Sequence, residues 1–172
     1  MNEFINKQNT YGFREKRYGL FGNIASNGCG VIAAHNVLTA NGIEMDFDRT
    51  MRGIERRLGT VIGFGKLGTS ILSLMGFLHR FFALRVRFII LDKGRRFKEC
   101  SSVIIMYYWI KSKRIGAHYI AGVRSEDGCF DFYNYSALPA HAPIEDFITG
   151  MKERHEYPLW LIGTTRKRGK KK

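Results

Sequence analysis

A lone cysteine between two glycines, where a polar loop gives way to helical periodicity, is the sequence's best candidate for a nucleophile. It sits in Ser26-Asn27-Gly28-Cys29-Gly30-Val31-Ile32-Ala33-Ala34-His35-Asn36-Val37-Leu38. Val31, Ala34, Val37 and Leu38 recur at spacings of three and four, which is one face of a helix. Ser26 or Asn27 supplies a capping side chain, so Cys29 falls at the positive end of the peptide dipoles, where a thiolate is favoured over a thiol. The plain alternative is a small apolar residue opening a buried helix.

A thiol nucleophile needs a base, and the base needs an orienting group. The chain has five histidines: His35, His79, His118, His141 and His155. His35 follows Cys29 by six positions on the same helix and points elsewhere. His79 lies near a helix end among basic and aromatic residues, and His141 and His155 lie in loop-like contexts that offer no partner. His118 opens the β-rich run His118-Tyr119-Ile120-Ala121-Gly122-Val123, and a strand start at a sheet edge can face a cleft.

The segment after it gives a geometric test. Arg124-Ser125-Glu126-Asp127-Gly128 carries an Asp-Gly hairpin signal. Centring the hairpin on Glu126 sets His118 opposite Asn134, with Cβ atoms about 5 Å apart. Asn134 then orients the ring, Asp131 falls on the other face, and a one-residue slip would bring Tyr135 opposite instead. For a developing oxyanion, the Cys29 backbone N–H is one donor and the side-chain amide of Asn23 a second, although Asn23 also reads as an ordinary turn residue.

The rest of the chain divides into helices and strands. Residues 1–22 are polar and aromatic and read as an irregular segment. One helix spans Cys29 to Ala40 and stops at Asn41-Gly42. A second runs from Asp46 or Asp48 to Leu58 with a basic outer face (Arg49, Arg52, Arg56, Arg57) read as solvated, and a third from Thr69 to about Phe82. Between them, Gly63-Phe64-Gly65-Lys66 lacks the spacing of a phosphate-binding loop. Strands follow at Leu84–Ile90, Ser102–Ile110, His118–Val123, Cys129–Tyr135 and Leu159–Gly163, with a helix at Ile144 to about Arg154. Helices first and antiparallel strands second make an α+β domain.

Composition bounds the rest. The chain has 172 residues, 45% of them hydrophobic, enough for a single folded domain over 1–163. The formal charge is +13, but Arg166, Lys167, Arg168, Lys170, Lys171 and Lys172 supply six of those charges. Residues 164–172 therefore read as a disordered basic tail. Through it the protein could touch nucleic acid or an anionic surface non-specifically, without a recognition helix or an aromatic stacking platform. Cys29, Cys100 and Cys129 have no paired spacing, no cysteine–histidine cluster of zinc type is visible, and no metal or cofactor is expected. The N-terminus lacks a signal-peptide core, and His79, Arg80, Arg85 and Arg87 interrupt the most apolar stretch. A cytoplasmic protein without a membrane span is the expectation.

The ordered set Asn23…Cys29-Gly30, His118-Tyr119 and Asn134 resembles the papain-like cysteine peptidases. It is closest to the bacterial C39 and C39-like peptidases, over roughly Phe21 to Gly163. Two positions depart from that pattern: Asn23 stands where the family has Gln, and Val31 where it often has proline. The resemblance implies a papain-like α+β fold, its first helix carrying the nucleophile at its N-terminus, packed on a C-terminal antiparallel meander. It implies a thiol hydrolase with Cys29 as nucleophile, His118 as base and Asn134 as orienter, working through an acyl-enzyme on a peptide or protein that the basic surface suggests is acidic. The same triad would also serve an acyltransferase. A catalytically silent binding domain would normally have lost the Cys or the His.

Overall fold

A computed structural model describes residues 3–9, 11–19, 22–56, 68–81, 84–90, 94–111, 114–136 and 139–166. The chain opens with a single turn α1 (Tyr11–Arg14), a short ribbon of β1 (Arg17–Tyr18) and β2 (Gly22–Asn23), and a second turn α2 (Ile24–Asn27). The segment expected to be irregular thus holds short regular pieces, and the Cys29 helix is not the first. Helices α3 (Cys29–Ala40), α4 (Phe47–Glu55) and α5 (Ile71–Leu78) follow. Leu58, the Gly63–Lys66 stretch, Phe82 and residues 167–172 lie outside the described residues.

The second half supplies β3 (Leu84–Ile90), a 3-10 turn (Arg95–Phe97), β4 (Ser102–Lys111), β5 (Arg114–Arg124), β6 (Phe130–Tyr133), β7 (Ala140–Ala142), α6 (Ile144–Glu153) and β8 (Glu156–Arg166). These strands form one antiparallel sheet in the order β3-β8-β4-β5-β6-β7. The expected meander is β4 to β7, whereas the last strand inserts between β3 and β4. β8 also runs beyond the expected boundary at Gly163. Thr164 is fully buried, and its hydroxyl lies 2.7 Å from Ser102 Oγ and accepts from Asn41 Nδ2 at 3.0 Å. The folded part therefore includes Thr164, Thr165 and Arg166.

Period-two alternation assigns the two faces of the sheet. Ile104, Tyr119, Ala121 and Ile162 pack with α3, α4 and α5, and Val103, Ile105, Ile120 and Leu161 pack with α6 on the other side. α3 is the central helix, with every residue from Cys29 to Leu38 buried. α4 is a surface helix whose N-cap Asp46 accepts from the Arg49 N–H at 2.7 Å. Its Arg49, Arg52 and Arg56 are exposed, as a solvated basic face should be. No helix among the described residues is long and apolar enough to cross a membrane.

Candidate active site

Two helices meet at Gly28. α2 ends with the Gly28 N–H donating to Ile24 O at 2.9 Å, and α3 begins with the Ile32 N–H donating to Gly28 O at 3.0 Å. A Cβ on Gly28 would lie 2.7 Å from the Ile24 side chain, and one on Gly30 would lie 2.5 Å from Thr69 Cβ. The glycines flanking Cys29 are thus required by close packing on both sides. The capping role expected of Ser26 or Asn27 on α3 is not what the chain uses. Gly28 is the N-cap of α3, without a side-chain bond, and Ser26 instead completes a capping box with Asn23 on α2. The first-turn N–H groups of α3 have no intrahelical acceptor, so Cys29 sits where negative charge is favoured.

His118 comes to Cys29 from the sheet. The residue lies inside β5, four residues past its start at Arg114, and not at a strand start as expected. The edge appears for another reason: the β5–β6 ladder runs from Arg124↔Phe130 to Ala121↔Tyr133 and stops. Among the described residues the β6 side of β5 has no strand neighbour beyond Ala121, and α3, which begins at Cys29, packs against β5. The His118 ring and the backbone of Tyr119 and Gly30 lie near enough to the Cys29 sulfur for each to lower its pKa. Tyr107, opposite His118 on β4, holds its ring edge-on with centroids 5.8 Å apart.

Asn134 does reach His118, but not as the hairpin arithmetic expected. Val123 pairs with Asp131, so the hairpin centres on Asp127 and the ladder has ended before Asn134. Asn134 adopts φ 62, a left-handed conformation that asparagine tolerates better than most residues. This turn presents its backbone carbonyl, which accepts from His118 Nε2 at 2.7 Å. A carbonyl oxygen can only accept, so Nε2 carries the proton and Nδ1 remains for the sulfur.

The Asn134 side chain faces the other way, into a strap formed by residues 3–9. Its Oδ1 accepts from the Gln8 backbone N–H at 3.0 Å, and the Asn134 backbone N–H donates to Asn6 Oδ1 at 3.0 Å. Gln8 Nε2 donates to Ile24 O at 2.9 Å and Ala25 O at 3.0 Å, tying the strap to α2. The Ile5 backbone exchanges two bonds with the Asn36 side chain of α3, at 2.8 and 2.9 Å. These strap residues escaped the sequence reading because nothing local marks them. Two tests follow: Asn134→Gly keeps the backbone turn and the carbonyl bond, so rapid Cys29 alkylation should persist while the urea midpoint reports a loss of about 1 kcal/mol. Asn134→Val, β-branched at positive φ, should lose the rapid alkylation as well.

Electrostatics separate the three thiols. Burial pushes Cys29 up, but the hydrogen bond and charge of His118, with the Tyr119 and Gly30 N–H groups, outweigh it and hold the thiol below its ordinary value. For His118 burial pushes down, while the Cys29 bond and charge and the Asn134 carbonyl bring it above the usual histidine value. The two shifts are mutual: each group's charged form is favoured by the other. Cys100 is raised by burial, and Cys129 by desolvation and then Asp127.

Asn23 is the N-cap of α2, its Oδ1 accepting from the Ser26 N–H at 2.9 Å, so only its Nδ2 is left as a donor. His35 is buried against the edge of Phe47, with ring centroids 5.7 Å apart, and burial lowers its pKa. Asp131 lies away from His118 and bonds His141 instead. His141, read as partnerless, belongs to β7 and meets two carboxylates, and His155 Nδ1 lies 3.4 Å from Tyr157 Oη.

No family model matches the sequence, and neither does any curated protein. Solved structures do match. The peptidase domain of Streptococcus ComA, a bifunctional ABC transporter involved in a quorum-sensing pathway, superposes with TM-score 0.53 at 14% identity, covering 96% of this chain and all of that domain. A double-glycine-motif protease from an AMS/PCAT transporter, solved in complex with the leader peptide, gives TM-score 0.52 at 12% identity, covering 92% of this chain and 96% of that one. With helices on an antiparallel sheet and matches that span nearly the whole of both partners, this chain has the papain-like fold of the C39 peptidase domains.

Proposed function

We propose that the chain is a papain-like thiol hydrolase, a cysteine peptidase or amidase acting through Cys29, His118 and Asn134. The observation that carries the reading is the His118 Nε2–Asn134 carbonyl bond, which leaves Nδ1 toward a sulfur at a helix N-terminus. In the reaction His118 Nδ1 holds the thiol proton, and the sulfur bonds to the scissile carbonyl carbon while the π pair moves to oxygen. The Cys29 N–H and Asn23 Nδ2 donate to that oxyanion. Collapse breaks the C–N bond, and the imidazolium gives its proton to the departing amine. Water, deprotonated by His118, then cleaves the thioester to an acid and restores the thiol.

A peptide or protein substrate is supported by the fold neighbour solved with its leader peptide, and the basic surface favours acidic sequences. The test is mass spectrometry of a peptide mixture rich in Asp and Glu, incubated with the wild type and with Cys29→Ala. Cleavage by the wild type alone is expected. If added amines capture the acyl group in preference to water, the protein is an acyltransferase with the same first half-reaction. If neither product forms and Cys29 is not the fastest-alkylated thiol, the reading fails.

A further inference from the structure

The β5–β6 turn carries a second constellation, about 20 Å along β5 from His118 at ordinary strand rise. Asp127 and Cys129 flank Gly128 in the turn, and His141 comes from the neighbouring edge strand β7. One donor atom from each of the three residues lies within 4.8 Å of the other two. We infer that Asp127, Cys129 and His141 form a binding site for a divalent transition metal of the zinc type.

The arrangement around His141 resembles a metal-binding histidine more than a surface ion pair. Its Nδ1 contacts Asp131 Oδ1 at 2.7 Å, and Asp131 directly faces His141 in the β6–β7 ladder. Asp131 is itself fixed by Ser125 Oγ, which donates to its other oxygen at 2.6 Å. A carboxylate on the far ring nitrogen is how metal-bound imidazoles are usually oriented. Nε2 is thereby aimed at Asp127 Oδ2, 2.9 Å away, on the side where Cys129 completes the triangle. The other Asp127 oxygen accepts from the Cys129 N–H at 3.0 Å, which brings carboxylate and thiol together. The Cys129 thiol, in contact with Asp127, adds a soft donor that an imidazole–carboxylate pair does not require.

Donor chemistry selects the metal. Thiolate and imidazole suit zinc, cobalt or nickel, whereas magnesium and calcium require oxygen donors. On binding, the Nε2 proton and the thiol proton pass to water, and the ion takes nitrogen, sulfur and one carboxylate oxygen, leaving a fourth position for water. The sequence hid this set because Asp-x-Cys followed by a histidine twelve residues after the cysteine matches no zinc spacing.

Cobalt(II) titration under reducing conditions tests the inference through the thiolate-to-cobalt charge-transfer band. The reactive Cys29 is a competing ligand, so the experiment uses the full chain carrying Cys29→Ala. The band is expected there, abolished by a further Cys129→Ser or His141→Gln, and its midpoint raised about 10–100-fold in cobalt by Asp131→Asn. A Cys29→Ala protein with no band, or a band that survives Cys129→Ser, overturns the site.

Discussion

In the folded protein at pH 7, iodoacetamide is expected to modify Cys29 at least ~10-fold faster than Cys100 or Cys129, and His118→Ala is expected to remove that advantage. The depressed Cys29 pKa keeps the sulfur ionised below the ordinary thiol titration. Its labelling should therefore hold as pH falls toward neutral and drop only through the depressed value. Without the His118 ring the pKa returns upward, and an ordinary thiol is only a few per cent thiolate at pH 7. The rate falls by less than the thiolate fraction does, because a more basic thiolate is intrinsically more nucleophilic. Hydrolysis should suffer more, about 10²–10⁴-fold, since it also loses a proton shuttle. Its alkaline limb belongs to His118: the raised pKa keeps the imidazolium present above the usual histidine range, and activity fades as pH rises through that value. Labelling that begins at Cys100 or Cys129 would contradict the assignment of Cys29.

The largest stability effect should come from Phe132→Ala. Phe132 is fully buried on β6 and stacks on Phe147 of α6 with centroids 3.6 Å apart and planes 9° from parallel. Its partner on β5 is Gly122, which has no side chain to extend into the hole. Removing the ring should cost about 3–5 kcal/mol, lowering Tm on the order of 10 °C for a domain of this size. The comparison is Phe4→Ala, whose ring is 39% exposed although stacked on Tyr133 at 4.9 Å. That change should stay within about 0.5 kcal/mol. Thermal and urea unfolding of both variants decide whether the α6 face is the stabilising layer.

What was legible in the sequence is what local chemistry specifies. α3 was readable because glycines and an apolar repeat fix its start, and its bounds fall where the periodicity put them. The cap of α4 was readable because Asp46 is an N-cap residue by type. β8 was expected as a strand, but not as one between β3 and β4, because partner choice depends on surfaces far apart in sequence. β7, with Ala140, His141 and Ala142, has no β-branched residue to announce it. At the site, residue identities could bring His118 and Asn134 together, but not reveal that the contact uses a main-chain oxygen. That detail depends on a positive φ at Asn134 and on a strap whose bonds to it span 126 and 128 residues.

The strap has a consequence for how the protein is made. The Cys29 sulfur precedes by 89 residues the His118 ring beside it, and by 105 the Asn134 carbonyl that holds the ring. The turn bearing that carbonyl is clasped by Asn6 and Gln8, so the earliest and late segments must meet before it is fixed. A nascent chain emerges N-terminal end first. The helix with its thiol is therefore synthesised long before anything can deprotonate it, and contacts of such wide separation close late. A chain still short of Asn134 carries an ordinary, sluggish thiol, and reactivity arrives only once that turn is made and clasped.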